Sequence, residues 1–332
     1  MTCRIVAELS CNHLGSLERA LELVDACATA GADAVKIQAW APGKMVLDKS
    51  YVLREGPWVG TNLYELYEQA QTPPAWIGPI FQRAAERGIE AFASVFDRES
   101  LETLEVMGCP RYKVASFEIV DLPLVDALAR TKKPLILSTG MATEVELDRA
   151  VDTLHQARAE RRLALMHCVS GYPVENQDAN LRRMDWLRRY AVPVGYSGHE
   201  KGTAISVAAV ARGASLIERH LTLDRTMPGP DHAASLEPKG FTQLVRDIRK
   251  IEAALGPQIE QPMPCEMASK RKLRKCAVAA DDITAGTVLG NWHVKYKSPE
   301  VEGGISADRQ IWGKKVTRDI AQDEPILLAD LT

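Results

Sequence analysis

Short apolar, β-rich runs alternate with amphipathic stretches eight times over roughly the first 255 residues. The pattern predicts strands over 5–9, 34–38, 90–94, 112–115, 135–138, 163–168, 193–197 and 215–218. Helices are expected at 16–30, from about Pro73 to Arg87 after a long loop, and over 99–107, 122–130, 143–159, 181–190, 203–212 and 238–255. Ser16 suits an N-cap and Gly31 a helix stop. Eight βα units at this length are the count and size of a (β/α)8 TIM barrel, an α/β fold. A doubly wound open sheet would carry a glycine-rich turn after its first strand. The turn here is Ser10-Cys-Asn-His-Leu-Gly15, which does not fit that pattern. The barrel is therefore assigned to 1–255. Pro257, Pro262 and Pro264 interrupt the pattern and mark a linker over 256–271. β-like pieces at 276–279, 293–296 and 315–317 predict a small, mostly-β domain over 272–332.

Composition narrows the function classes. Hydrophobic residues at 46% and charged residues at 26% fit a globular chain with a full core and exclude a disordered one. A formal charge of −3 offers no general attraction for nucleic acid or an anionic membrane. The basic run Lys270–Lys275 reads as a solvated segment or a domain-interface patch. No apolar run reaches the ~18 residues of a membrane span. Residues 1–12 lack the basic and apolar regions of an export signal. Seven cysteines without a C-x-x-C pair suit a reduced compartment, so the expected location is the cytoplasm.

In a barrel of this kind the active site is built at the C-terminal ends of the strands. Polar residues collect there: Glu8, Lys36, Gln38, Ser94, Lys113, Ser116, Glu118, Ser138, Thr139, His167, Ser197, His199, Glu218 and His220. His199 and His220 end neighbouring strands, so their imidazoles can share a divalent metal. With Glu8 or Asp231 nearby, such an N/O set suits Mn²⁺, with Mg²⁺, Co²⁺ or Zn²⁺ as alternatives. Two hydrogen-bonded structural histidines would give the same pattern. Lys36 and Lys113 with Ser94, Ser116 and Ser197 form an anion pocket suited to a phosphorylated carboxylic acid. Buried pairing of those lysines with Glu8 or Glu118 is the competing reading. Neither a phosphate-binding P-loop nor a G-x-S-x-G elbow is present. Cys168 beside His167 reads as core packing. The loop Met227-Pro-Gly-Pro-Asp-His-Ala-Ala-Ser235 is longer than an ordinary turn and is expected to hold side chains over the barrel mouth.

Several separated segments, in order, carry a family resemblance. They are Ala7-Glu-Leu-Ser-Cys-Asn-His-Leu-Gly15, Gly31-Ala-Asp-Ala-Val-Lys-Ile-Gln38, Tyr112-Lys-Val-Ala-Ser-Phe-Glu118, Cys168-Val-Ser-Gly-Tyr-Pro173, Ile217-Glu-Arg-His220 and Gly229-Pro-Asp-His232. Together they resemble the sialic acid synthase family over essentially the whole chain. The last ~60 residues look like the family's antifreeze-like (SAF) domain. The resemblance implies condensation of phosphoenolpyruvate with an open-chain amino/deoxy hexose, giving a C9 2-keto acid and phosphate by C–O cleavage. It implies phosphoenolpyruvate contacts at Lys36, Ser94, Lys113, Ser116 and Ser197, and metal ligands at His199 and His220. Glu8, Gln38, Glu118, Tyr172 and Asp231 match residues around the acceptor and the reacting centre, with Glu8 or Glu118 moving the proton. A domain-swapped homodimer is implied as well.

Ala115-Ser-Phe-Glu-Ile119 and Leu63-Tyr-Glu-Leu-Tyr-Glu68 resemble pseudaminic acid synthases, whereas the loop Gly229–Leu236 is closer to neuraminate and legionaminate synthases. There are departures. Gly198 stands where the family usually has Asp, and Ser170 where several members have Asn. Lys297 stands in for an arginine that reaches the acceptor's N-acyl group, which suggests altered substitution there. A metal-dependent sugar aldolase or epimerase, or a carbohydrate-binding protein without catalysis, remains an alternative at this stage.

Overall fold

The computed structural model describes residues 2–47, 49–55 and 59–332. Eight parallel strands close into a barrel in chain order. They are β1 (Arg4–Glu8), β2 (Ala34–Ala39), β3 (Glu90–Val95), β4 (Tyr112–Val114), β5 (Leu135–Ser138), β6 (Leu163–Cys168), β7 (Val194–Gly198) and β8 (Leu216–His220). The principal helices are α1 (Leu17–Thr29), α2 (Pro42–Met45), α3 (Leu63–Ala70), α4 (Pro74–Glu86), α5 (Arg98–Val106), α6 (Leu122–Arg130), α7 (Glu144–Gln156), α8 (Arg183–Leu187), α9 (Ala204–Ala211) and α10 (Pro238–Leu255). The α/β barrel expected from the sequence is thus the fold observed.

Local chemistry explains the boundaries. Ser16 caps α1 by accepting from the Arg19 amide, Asp97 caps α5, and Thr143 with Glu146 closes a capping box on α7. Between strands and helices lies one continuous core that includes Leu23, Ile80, Leu104, Leu128, Leu154 and Phe241. Because the strands are covered on both faces, they read as near-continuous apolar runs. The inward-facing polar residues break those runs only near the C-terminal ends.

Some expectations needed correction. The long loop after β2 contains α2 and α3, and residues 48 and 56–58 of it lie outside the described residues. The helix expected over 181–190 is only α8 followed by a 3₁₀ turn at Arg188–Tyr190, where Ala191 takes a left-handed conformation. The last strand runs two residues further than expected, to His220.

The chain divides into two compact units, Met1–Gly256 and Pro257–Thr332. Within the second, α11 (Met267–Leu273) occupies what reads as linker, and β9 (Cys276–Ala279) pairs antiparallel with β10 (Val294–Lys297). The stretch 315–317 forms isolated bridges, Val288 with Lys315 and Val316 with Leu331, in place of a strand. Ile283, Leu289, Ile305, Ile311, Val316, Ile320 and Ile326 make this unit's own core. Arg318 fastens the C-terminal segment through Glu324 (2.8 Å) and Asp330 (2.8 Å).

The β7–β8 seam contains a close approach of backbone. A Cβ at Gly195 on β7 would stand 2.7 Å from the Leu216 carbonyl oxygen and 2.8 Å from its Cβ. Backbone cannot yield as a flexible side chain can. Gly195→Ala is therefore expected to cost about 1–3 kcal/mol, read as a lower urea midpoint with an unchanged slope.

Candidate active site

A cavity of about 400 Å³ opens at the C-terminal ends of the strands, within the usual range for small-molecule sites. At and beneath its floor lies a four-charge cluster drawn from four strands. Glu218 Oε1 on β8 accepts from Lys113 Nζ on β4 at 2.6 Å and from Ser197 Oγ on β7 at 3.3 Å. Lys36 Nζ on β2 lies 3.6 Å from the same oxygen, pairs with Glu8 on β1, and donates to Ser94 Oγ at 2.7 Å. All four charged side chains are buried. Isolated, any of them would be neutralised by its low-dielectric surroundings. Together their formal charges cancel.

The titration directions follow from this packing. Burial pulls the Lys36 ammonium down, but Glu218 and Glu8 outweigh it and hold the group above its ordinary value. Lys113 goes the other way, lowered by burial and further by Lys36, with Glu218 opposing. Burial raises Glu218, yet Lys113 and Lys36 win and hold it down at about 2. The lysines pair with carboxylates, as the competing reading has it, and both also line the cavity. Their partners are Glu8 and Glu218, not Glu118.

Beside this cluster stand the two histidines. His199 Nδ1 lies 3.0 Å from the Val169 carbonyl, an acceptor, which places the proton on Nδ1 and leaves the Nε2 lone pair uncommitted by that bond. Burial, then the neighbouring His220, lowers His199 to about 3. His220 Nδ1 is buried without a hydrogen-bond partner, 3.7 Å from Asp231 Oδ2. The imidazole centroids are 5.3 Å apart, and the Tyr172 ring packs 4.2 Å from that of His199. Among the described residues no three His, Cys, Asp or Glu side chains converge as a metal-holding group. The orphaned buried nitrogen of His220 and the Nε2 lone pair of His199 nonetheless fit a divalent ion whose remaining positions belong to solvent or substrate.

Asp231 completes the rim. Its carboxylate accepts from Ser10 Oγ, which in turn accepts from Gln38 Nε2 at 3.0 Å. The loop that carries it is latched from below. Asn12 Nδ2 donates to Leu221 O and Ser235 Oγ, both at 2.9 Å, and Ser235 Oγ donates to Asp231 O at 2.7 Å. His232 turns inward to Thr222 Oγ1 (2.7 Å) and steadies the loop. Ser116 Oγ contacts Cys168 Sγ at 2.9 Å and accepts from the Gly140 amide at 3.2 Å, with Ser170 on the same wall.

Three residues with expected roles lie off the cavity wall. Glu8 is fully buried behind Lys36 and does not line the cavity. Glu118 sits half-buried on a 3₁₀ turn, also off the cavity wall; burial, then Asp121 and Asp97, raise its carboxyl to about 7. His167, expected among the strand-end groups, bonds the Ala179 carbonyl at 2.8 Å and packs on Tyr196, away from the cavity. Lys297 lies on β10 of the second unit, half-exposed and paired with Asp323.

Two features were missed from the sequence. Glu218 was noted only as a strand end, although its position two before His220 puts both on one face. The other is an apolar wall, with Trp40 packed edge-on against Tyr67 (5.5 Å) and Phe96 (5.1 Å) and its indole N–H spent on the Tyr67 carbonyl.

The cluster makes a pH prediction. A carboxylate held below its ordinary 4.5, at about 2, adds stability in full above pH 4.5 and loses it as pH falls toward 2. Glu218→Gln should flatten that part of the acid limb. It should also cost roughly 3–5 kcal/mol at pH 7 by leaving two buried ammoniums short of a partner. Urea titrations at pH 7 and pH 3 check both.

Known proteins bear on this arrangement. The NeuB family model matches residues 23–260 and the SAF domain model residues 274–332. The chain is 35% identical over 332 residues to a pseudaminic acid synthase of Helicobacter pylori, covering 99% of this chain and 97% of that one. It is 35% identical over 330 residues to an N,N'-diacetyllegionaminic acid synthase of Campylobacter jejuni, covering 97% and 98%. Among solved structures, the N-acetylneuraminic acid synthetase of Leptospira borgpetersenii superposes with a TM-score of 0.74 at 33% identity, covering 81% of this chain and 90% of that one. With both models matched in order and full-length relatives above 30% identity, the chain belongs to the NeuB family and ends in a SAF domain.

Proposed function

We propose that this protein is a nonulosonic acid synthase that joins phosphoenolpyruvate to the aldehyde carbon of an open-chain amino/deoxy hexose, releasing inorganic phosphate. The observation that carries the reading is the pair of buried ammoniums, Lys36 and Lys113, at the floor of a cavity in a family of such synthases. Two fixed cations flanked by Ser94, Ser116 and Ser197 suit a donor with a carboxylate at one end and a phosphate at the other. An aldolase or epimerase acting on a neutral sugar needs no such pair.

Lys36 and Lys113 hold the donor so that its C3 faces the aldehyde, and the Ser10–Gln38–Asp231 chain aligns the acceptor's hydroxyls. A divalent ion, Mn²⁺ first and Mg²⁺ or Co²⁺ as alternatives, would be held by His199 and His220 and supplies Lewis-acid polarisation of the aldehyde oxygen. The C2–C3 π electrons of the donor form the new C–C bond to the aldehyde carbon, whose oxygen takes up a proton to become a hydroxyl, leaving positive character at C2. Water adds to C2, one of its protons replacing the one taken up there and the other leaving with phosphate as the bond between C2 and the bridging oxygen breaks, so that C2 becomes the keto carbon. Of the carboxylates that line the cavity, Glu218 is committed to the lysines. Asp231, coupled to Ser10, is therefore the group placed to take the water's proton. The apolar wall of Trp40, Tyr67 and Phe96 suits the methyl groups of a deoxy, acylated acceptor, in keeping with the pseudaminic and legionaminic synthases among the relatives. No described helix is long and apolar enough to cross a membrane. A homodimer and a cytoplasmic location belong to the same proposal and rest on the family resemblance.

The test is phosphate release from phosphoenolpyruvate with Mn²⁺ against N-acetylmannosamine and the diacetamido-trideoxy hexoses, with metal-free controls. Metal-dependent release with one acceptor is expected. Lys113→Met should lower kcat/KM by on the order of a hundredfold, as loss of a charge-assisted contact made to the reacting anion. Failure to bind phosphoenolpyruvate at all would overturn the reading.

A further inference from the structure

His199 and His220 stand at the ends of neighbouring strands, and a buried ion pair, Glu200 with Arg219, lies behind them. Arg219 separates Glu218 from His220 on β8. Since those two line the cavity, Arg219 faces the opposite side, where it is completely buried. Its guanidinium donates to Glu200 Oε1 (2.8 Å), Gly202 O (2.7 Å), Ser206 Oγ (3.1 Å) and the Glu200 carbonyl. The Glu200 carboxylate, also completely buried, accepts from Tyr196 OH at 2.9 Å and Ser206 Oγ at 3.1 Å. One partner of this ion pair directly follows His199 and the other directly precedes His220.

Gly198 makes the arrangement possible. It is the register partner of Arg219 across the β7–β8 ladder. A Cβ there would stand 2.5 Å from Glu200 Oε2, 2.9 Å from Oε1 and 2.9 Å from Tyr196 Cε1. The carboxylate folds back over the glycine and fills the space that a side chain at 198 would take. A fully buried ion pair is a poor source of stability against an apolar substitute, so a pair tied by several further hydrogen bonds to backbone and side chains around the ends of β7 and β8 points to a geometric role.

We propose that Glu200 and Arg219 are positioning residues that hold His199 and His220 at the separation a divalent cation needs. In this chain the acid that the family resemblance leads one to expect at 198 is supplied from 200. The inference rests on the metal reading given under Proposed function. It adds two residues that touch neither metal nor substrate, and it explains Gly198 as the counterpart of Glu200.

Mn²⁺ affinity, read from the loss of the free-ion electron paramagnetic resonance signal, tests it alongside circular dichroism melting. Wild type and His199→Ala come first. If wild type binds no Mn²⁺, or His199→Ala binds it equally well, the metal reading itself fails. Given wild-type binding, Glu200→Ala should weaken Mn²⁺ at least tenfold while the protein stays folded at the assay temperature. Gly198→Asp alone should weaken it too, because two carboxylates then compete for one space. Gly198→Asp combined with Glu200→Ala returns a carboxylate to that space from the other backbone position, and should recover most of the affinity. Should Glu200→Ala not fold, Arg219→Lys decides, since it keeps the charge but loses the fork: a tenfold loss upholds the proposal. Wild-type affinity in a folded Glu200→Ala or Arg219→Lys, or no recovery in the double variant, overturns it.

Discussion

Two ammoniums and two carboxylates sit out of water inside the barrel of this protein, and neither pair is tolerable there without the other. Glu8, Lys36, Lys113 and Glu218 come from β1, β2, β4 and β8, so the cluster forms only when the barrel has closed. Its formal net charge is zero, and each lysine is fixed beside a carboxylate, Lys36 by Glu8 and Lys113 by Glu218. The low dielectric that makes each charge costly also strengthens whatever anion the lysines meet. The anion recognition proposed for this site therefore draws on the same four side chains as folding.

Around that cluster the site divides into banks of different chemistry. Serine hydroxyls on β3, β7 and the turn after β4 surround the lysines, and the two imidazoles stand on the β7 and β8 side. Asp231 reaches in from a loop latched by Asn12 and Ser235. Trp40, Tyr67 and Phe96 close the remaining side with rings. A donor with two anionic groups beside an acceptor with apolar substituents, as proposed, matches this division.

Much of this was legible in the chain. The alternation of short apolar runs and amphipathic stretches located every strand, because strands covered on both faces tolerate polar residues only where they point into the barrel near its mouth. That rule brought out Lys36, Lys113, Ser94, Ser197 and the two histidines. It could not separate His167, which stands on the outward phase of β6, from the inward-facing groups. Nor did it weigh Glu218, whose importance comes from meeting two lysines distant in sequence. The aromatic wall was not legible, since Trp40 and Tyr67 lie in the long connection after β2, where no periodicity assigns a face. Gly198 stood out as a departure from a family pattern, and only the folded chain shows the Glu200 carboxylate in the space it leaves.

The account stands on Lys36 and Lys113 being an anion site and not merely an internal salt bridge. Isothermal titration of phosphoenolpyruvate into the metal-free protein, with Lys36→Met and Lys113→Met beside wild type, addresses this directly. Saturable binding by wild type that either substitution weakens at least tenfold, in variants that still melt cooperatively, is the predicted result. Equal affinity in all three proteins would show that the lysines serve only the fold, and would contradict the account.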